Sequence, residues 1–332
     1  MSSVLLKRKP QKDNNNKTPL ITAKSENNLN EENNDGNSRW NQLFIGSIWK
    51  HIARKLIFST LILLIIFGYF HLRPHSIDSY QTMASVGDKI DGSPLAQEVA
   101  CPRDNYQLER EQFANCAPGR CGRFVSDSIV SENEALQLRL LAETVFSISQ
   151  PSGGVAIFDL NSGALSNHTK FINLFELIKR KNINIIQPKS LQTFKNVKNK
   201  IIHNISFQFG VSPQHLHLTS PVFFTRITNA KAATLNDQYW HPHVDKVTYG
   251  TFAYTSLVYL SNYKEEFRGG RFIFLDSKQN ITVEPRFGRV SAFTSSSENV
   301  HMVEPVNHGT RFALTIPFTC DPKQAIENPK LK

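Results

Sequence analysis

The residues best suited to chemistry lie between positions 243 and 311. His243 and Asp245 stand two apart, His301 heads a later segment, and Arg311 follows His301 by ten residues. On a strand or strand edge, side chains two apart point the same way, so one imidazole and one carboxylate can meet one ion. Adding His301 gives two histidines and a carboxylate, a donor set that covers one face of an octahedron and leaves the other positions open. Arg311 supplies a planar, always-charged fork that suits the distal carboxylate of a dicarboxylic acid.

Each choice has a competitor. His308 could replace His301, but the residue ten positions beyond it is Phe318, which cannot hold a carboxylate. His241, His243 and Asp245 spell the start of a zinc-hydrolase motif, yet Lys246 occupies the position where that motif expects histidine. His241 therefore reads as a supporting or solvated residue. His203, His215 and His217 read as ordinary core or surface histidines. Tyr254 either lines the cleft or is a structural tyrosine of the sheet, and Arg226 is either a substrate contact or a surface ion pair.

The elements that must position these residues are short strands. Residues 218–227, 251–261, 271–275, 280–284, 289–293 and 311–318 are rich in β-branched and aromatic side chains, with Gly269, Gly270, Pro285, Gly288 and Gly309 between them. Such spacing indicates a sandwich, barrel or jelly roll. Helical patterns precede it: Leu136, Leu138, Leu141 and Val145; Phe171, Leu174, Phe175 and Ile178; Leu191, Phe194, Val197 and Ile201. Helices first and antiparallel strands afterwards make an α+β domain, the apolar stripes packing on the sheet.

The remainder reads as delivery and support. The chain has 332 residues, 40 % of them hydrophobic, and a net charge of +10. Residues 1–55 hold ten Lys/Arg against five Asp/Glu, so half the excess sits in a tail. No nucleic-acid-binding pattern accompanies the charge, and a nucleic-acid partner is not expected. Residues 1–50, rich in asparagine, are expected to be a disordered cytoplasmic tail. The uncharged run 56–70, flanked by Lys50, Arg54 and Lys55 before it and only Arg73 after it, predicts a transmembrane signal anchor over 55–72. Its length also suits a buried helix or a signal core, and cleavage near Met83-Ala84-Ser85 would release the folded domain from its anchor. The positive-inside rule makes the chain a single-pass type II membrane protein, its bulk in the lumen of the endoplasmic reticulum or Golgi or outside the cell.

Cysteine usage agrees. Cys101, Cys116, Cys121 and Cys320 all follow the anchor, suggesting two disulfides among three possible pairings. The short separation of Cys116 and Cys121 makes a local bridge attractive, and a structural zinc site lacks a second ligand pair. Sequons at Asn167, Asn204 and Asn280 also follow it, although Asn16 shows that such triplets arise by chance. Residues 73–122 then form a stem with cysteines, 123–322 the folded domain with its core at about 215–320, and 323–332 a C-terminal tail.

The segment from 239 to 322 resembles the 2-oxoglutarate- and Fe(II)-dependent oxygenases of the prolyl 4-hydroxylase-like superfamily. Cys121-Gly, Leu216-His-Leu-Thr and His243-Val-Asp-Lys-Val-Thr-Tyr-Gly extend the resemblance to a narrower, single-pass membrane branch. It implies a double-stranded β-helix (jelly-roll, cupin-like) core, His243, Asp245 and His301 as catalytic iron ligands, and Arg311 as the 2-oxoglutarate-binding residue. Tyr259, in the strand before Gly269-Gly270, is implied as a second co-substrate contact. Some relatives place serine two residues after the basic residue, where this chain has Ala313. The resemblance further implies Fe(II), O2 and 2-oxoglutarate, with ascorbate as a candidate cofactor, in hydroxylation of a protein (prolyl-like) or small-molecule substrate. The alternative is a catalytically silent jelly-roll binding module of the secretory pathway.

Overall fold

The computed structural model describes residues 36–72, 80–102 and 106–330. The chain divides into two units, 1–75 and 76–332. In the first, α1 (Gly36–Leu72) runs without an internal proline and ends shortly before Pro74. Residues 1–35 of the expected tail lie outside the described residues. The expected boundary at 50–55 does not appear, because helix already begins at Gly36. Within α1, Trp49–Gly68 is a 20-residue apolar stretch, longer than the uncharged run alone, and none of it is buried.

The second unit begins with β1 (Tyr80–Ala84), β2 (Leu95–Val99), α2 (Gln107–Gln112) and β3 (Cys121–Ser126). After α3 (Glu132–Phe146) come β4 (Val155–Asp159), β5 (Ala164–Asn167) and β6 (Lys170–Asn173). Next are α4 (Leu174–Lys181), α5 (Pro188–Phe209), β7 (His217–Leu218), β8 (Phe223–Thr228) and α6 (Asp245–Tyr249). The chain then alternates through β9 (Tyr254–Tyr259), β10 (Phe267–Gly269), β11 (Phe272–Phe274) and β12 (Asn280–Val283). It closes with β13 (Val290–Thr294), β14 (His301–Val303) and β15 (Val306–Thr319).

These strands form a minor sheet, β1-β12-β11-β14, and an 11-stranded major sheet centred on β3-β13-β9-β15-β8. Alternation along β9 explains the layers. Tyr254 and Val258 face the cluster that contains Leu138, Leu141, Val197 and Ile201 of the helices, whereas Leu257 and Tyr259 face a cluster shared with the minor sheet. That second cluster joins Val125 and Phe293 of the major sheet to Phe272, Phe274, Ile281 and Val283 of the minor one. Two packed sheets braced by helices on one outer face fit the expected jelly-roll core of an α+β domain.

The helices form where caps and stripes coincide. Ser131 and Glu134 make a reciprocal capping box at the start of α3, and Leu138, Leu141 and Val145 are buried while Leu136 lies off the stripe and is exposed. Proline in the first turn opens α5, and Gly210, at φ +69°, ends it. Phe171 departs from the expected second helix: it lies in β6, and α4 starts only after the Asn173 cap.

The expected stem is also corrected. Tyr80–Ala84 pairs in parallel with β12, and Leu95–Val99 pairs with β3. The buried Arg289 guanidinium fastens this segment, donating to Asp127 Oδ1 (2.8 Å) and Oδ2 (2.9 Å) and to the carbonyls of Ser85 and Asp88. The disulfides are Cys101–Cys121 and Cys116–Cys320, not the local Cys116–Cys121 bridge. The chain carries Cys116 and Cys121 to different partners, one of them 204 residues away in sequence.

Candidate metal and co-substrate site

His243 and His301 form an isolated antiparallel bridge, each N–H donating to the other's carbonyl at 3.0 Å. The expected strand ends there: Asp245 is already the first residue of α6, so a turn into helix, rather than strand alternation, brings its carboxylate back towards the histidines. Asp245 Oδ1 lies 3.6 Å from His243 Nε2 and 3.5 Å from His301 Nε2. One ligand atom from each of the three residues falls within 4.8 Å of the other two.

The surroundings leave the correct atoms available. His243 Nδ1 bonds the His241 carbonyl at 3.0 Å, and His301 Nδ1 bonds the Asn299 carbonyl at 2.8 Å. A carbonyl accepts only, so each Nδ1 carries the proton and each Nε2 presents a lone pair. Burial holds the His243 imidazole below its ordinary value, which favours that neutral ring. Thr255 Oγ1 donates to Asp245 Oδ2 at 2.6 Å and meets Ser295 Oγ at 2.8 Å. Phe272 stacks on the His301 ring with centroids 4.9 Å apart, and Phe293 meets it edge-on at the same distance. His301 and Asp245 are buried; His243 is partly open to solvent.

Arg311 lies on the same face of the major sheet. It is 1 % exposed, and its Nε donates to the Gly270 carbonyl at 2.9 Å, but Nη2 is buried without a partner. No carboxylate among the described residues forms an ion pair with it. Its guanidinium carbon stands 5.6 Å from the Tyr259 ring centroid, and Tyr259 Oη is bonded to Ser291 Oγ at 3.1 Å. Leaving a buried cationic donor unanswered is costly, so the free N–H fits an anion supplied from outside. Gly270, at φ +66°, keeps the approach open: a Cβ there would come within 3.1 Å of the Arg311 side chain.

The structure thus brings His243, Asp245 and His301 together and sets Arg311 beside Tyr259. It separates the others. His308 is exposed on β15, opposite Arg268. His241 contributes its carbonyl, not its ring, to His243. Tyr254 is the structural tyrosine: its buried hydroxyl donates to the Cys116 carbonyl at 2.7 Å. Arg226 is neither a substrate contact nor a surface ion pair; its Nη1 donates to the Phe146 carbonyl at 3.0 Å and its guanidinium covers that ring. Thr255, Ser291 and Ser295 have no local sequence signal, because their roles come from the pairing of β9 with β13 and the residue that follows it. The Asn299 carbonyl acts through the backbone turn before His301, which carries no residue-type signal.

A two-histidine, one-carboxylate cluster beside a buried, unanswered arginine on a jelly-roll sheet defines a class. Residues 230–318 match the profile of the 2OG-Fe(II) oxygenase superfamily, and the chain belongs to that family: it is a dioxygenase that uses Fe(II), 2-oxoglutarate and O2. Within the family it is similar to 2-oxoglutarate and iron-dependent oxygenase domain-containing protein 3 of Xenopus tropicalis, 48 % identical over 70 % of this chain and 72 % of that protein. The protein of the same name from Homo sapiens is 47 % identical over 75 % of this chain and 77 % of its own length. Prolyl 3-hydroxylase 1 of Homo sapiens is 28 % identical over 61 % of this chain and 29 % of its own.

Proposed function

We propose that the protein is a membrane-anchored hydroxylase whose iron is held by His243, Asp245 and His301. Arg311 takes the distal carboxylate of 2-oxoglutarate, with Tyr259 beside it. The donor set suits the metal, since two neutral imidazoles and one carboxylate leave positions for other ligands. When bound, Fe(II) and 2-oxoglutarate supply the oxidising chemistry, O2 being spent as 2-oxoglutarate is decarboxylated to succinate. The chain's own contribution is placement. The Nδ1 bonds to the His241 and Asn299 carbonyls fix the imidazoles, and Thr255 fixes the carboxylate. Phe272 and Phe293 exclude water from one side of His301. The observation that carries the reading is the Nη2 of Arg311, buried without a partner on the site-facing side of the sheet. A binding module has no need of a metal triad and an unanswered guanidinium together.

The similarity to a prolyl 3-hydroxylase supports a protein substrate of prolyl type. The apolar helix and two disulfides fit a secretory-pathway protein. We place α1 across a membrane with its basic flank cytoplasmic and the oxygenase domain lumenal. Substrate trapping tests the substrate class. The Asp245→Ala chain should retain proteins whose prolyl peptides gain one oxygen only with the wild-type enzyme. Capture of no protein that gains oxygen in this way would overturn a protein substrate.

A further inference from the structure

The metal ligands come from two separated segments, and a third segment, outside the region matched by the family profile, grips both. Lys246, next to Asp245, donates its backbone N–H to the Ser295 carbonyl at 2.9 Å, and its Nζ pairs with Glu109 of α2. The same Nζ stands 5.0 Å from the ring centroid of Tyr106, which has no exposed surface. The Tyr106 hydroxyl donates to Glu298 Oε1 at 2.8 Å and accepts the Ser296 N–H at 3.2 Å. Residues 106–109 therefore hold the Asp245 segment through Glu109 and the chain leading to His301 through Tyr106. Disulfides fasten this segment on both sides, through Cys101–Cys121 before it and Cys116–Cys320 after it.

We infer that Tyr106 and Glu109 are positioning residues that set the separation of Asp245 and His301, so that the segment before the oxygenase core tunes metal affinity. The inference rests on the metal reading above. Three ligands on two segments bind tightly only when both segments are held within a fraction of an ångström of the working geometry. The charged pair at Lys246 and the tyrosine bridging to Glu298 add to the His243–His301 backbone bridge and the Lys246 N–H bond to Ser295 in holding them. The remaining Oε2 atoms of Glu109 and Glu298 are buried without partners, so neither acid has an alternative bond that would preserve the geometry if its partner were lost.

Anaerobic titration of the detergent-solubilised full chain with Co(II), followed by its visible absorption, reads affinity and coordination without turnover. Glu109→Gln, Lys246→Gln and Tyr106→Phe should each weaken Co(II) binding roughly tenfold and alter the spectrum. The Glu109→Gln/Lys246→Gln double variant should be no worse than the weaker single, since both break one contact. Glu134→Gln, which removes the Lys200 pair between α3 and α5, is the structural control and should leave Co(II) affinity unchanged. Wild-type binding with Glu109→Gln and Tyr106→Phe within twofold of it would overturn the positioning role alone. Wild-type binding no better than that of His243→Ala would overturn the metal reading and the positioning role with it.

Discussion

Arg311 is a charge sealed into a sheet with one nitrogen unanswered, and its removal should separate stability from function. Arg311→Met eliminates a buried uncompensated cation, so the melting temperature without ligand should hold or rise. The same change removes charge-assisted bonds of about 1.5–3 kcal/mol, raising the KM for 2-oxoglutarate at least tenfold. A lower melting temperature with the KM for 2-oxoglutarate unchanged would place the Arg311 charge in the fold and not in co-substrate binding. Thr255→Val nearly conserves volume but leaves Asp245 Oδ2 without its 2.6 Å donor, so metal Kd should increase by roughly 10- to 100-fold. Unchanged metal affinity, measured by competition with a chelator, would show that the hydroxyl does not orient the carboxylate. At this scale the sequence was informative where chemistry imposes residue type: His243, Asp245, His301 and Arg311 are legible from spacing. Thr255 and Ser295 are not, because a hydroxyl on a strand says nothing about what lies across the next one.

The strands explain both the success and the failure of sequence reading. From β8 onward the strands read as near-continuous apolar and β-branched runs because the major sheet is covered on both faces, and the strands expected over 251–261, 271–275 and 289–293 are present at 254–259, 272–274 and 290–294. β1 and β2 escaped because Tyr80–Ala84 and Leu95–Val99 are largely exposed edge strands with no alternation to detect. Residues 230–242, which lead into His243, are held by another device invisible to periodicity. The Asp237 carboxylate accepts from Val155 N–H (2.8 Å), Ala233 N–H (3.1 Å), Thr234 N–H (2.8 Å) and the Thr234 hydroxyl (2.8 Å). Burial acts to raise this carboxyl, but the bonds from Val155, Thr234 and Ala233 outweigh it and hold it below its ordinary value. A depressed carboxyl contributes stability that is present above its unfolded value, about 4, and lost as pH falls through the folded one. Asp237→Asn should therefore cost about 1–3 kcal/mol at neutral pH, the gap from wild type closing below pH ~4 in denaturant titrations. A gap that stayed constant with pH would show that the ionised carboxylate is not the clamp.

On the scale of the whole molecule, the N-terminal helix and the oxygenase unit were legible as separate parts because their compositions differ. The disulfide crossing was not, since Cys116–Cys320 joins residues whose proximity exists only in the folded sheet. Asn167, at the end of β5, Asn204, within α5, and Asn280, at the start of β12, all belong to the unit that carries both disulfides. A lumenal oxygenase domain predicts a glycosidase-sensitive mobility shift that disappears when all three are changed to Gln. Mobility insensitive to glycosidase in the wild type would contradict that topology.

The most direct test of the central claim is succinate formation from 2-oxoglutarate by the solubilised chain, with Fe(II) and O2, measured beside His243→Ala. The wild type should release succinate only when Fe(II) is present, and His243→Ala should release none above background. Equal succinate from the two proteins would contradict an iron site built on His243, Asp245 and His301.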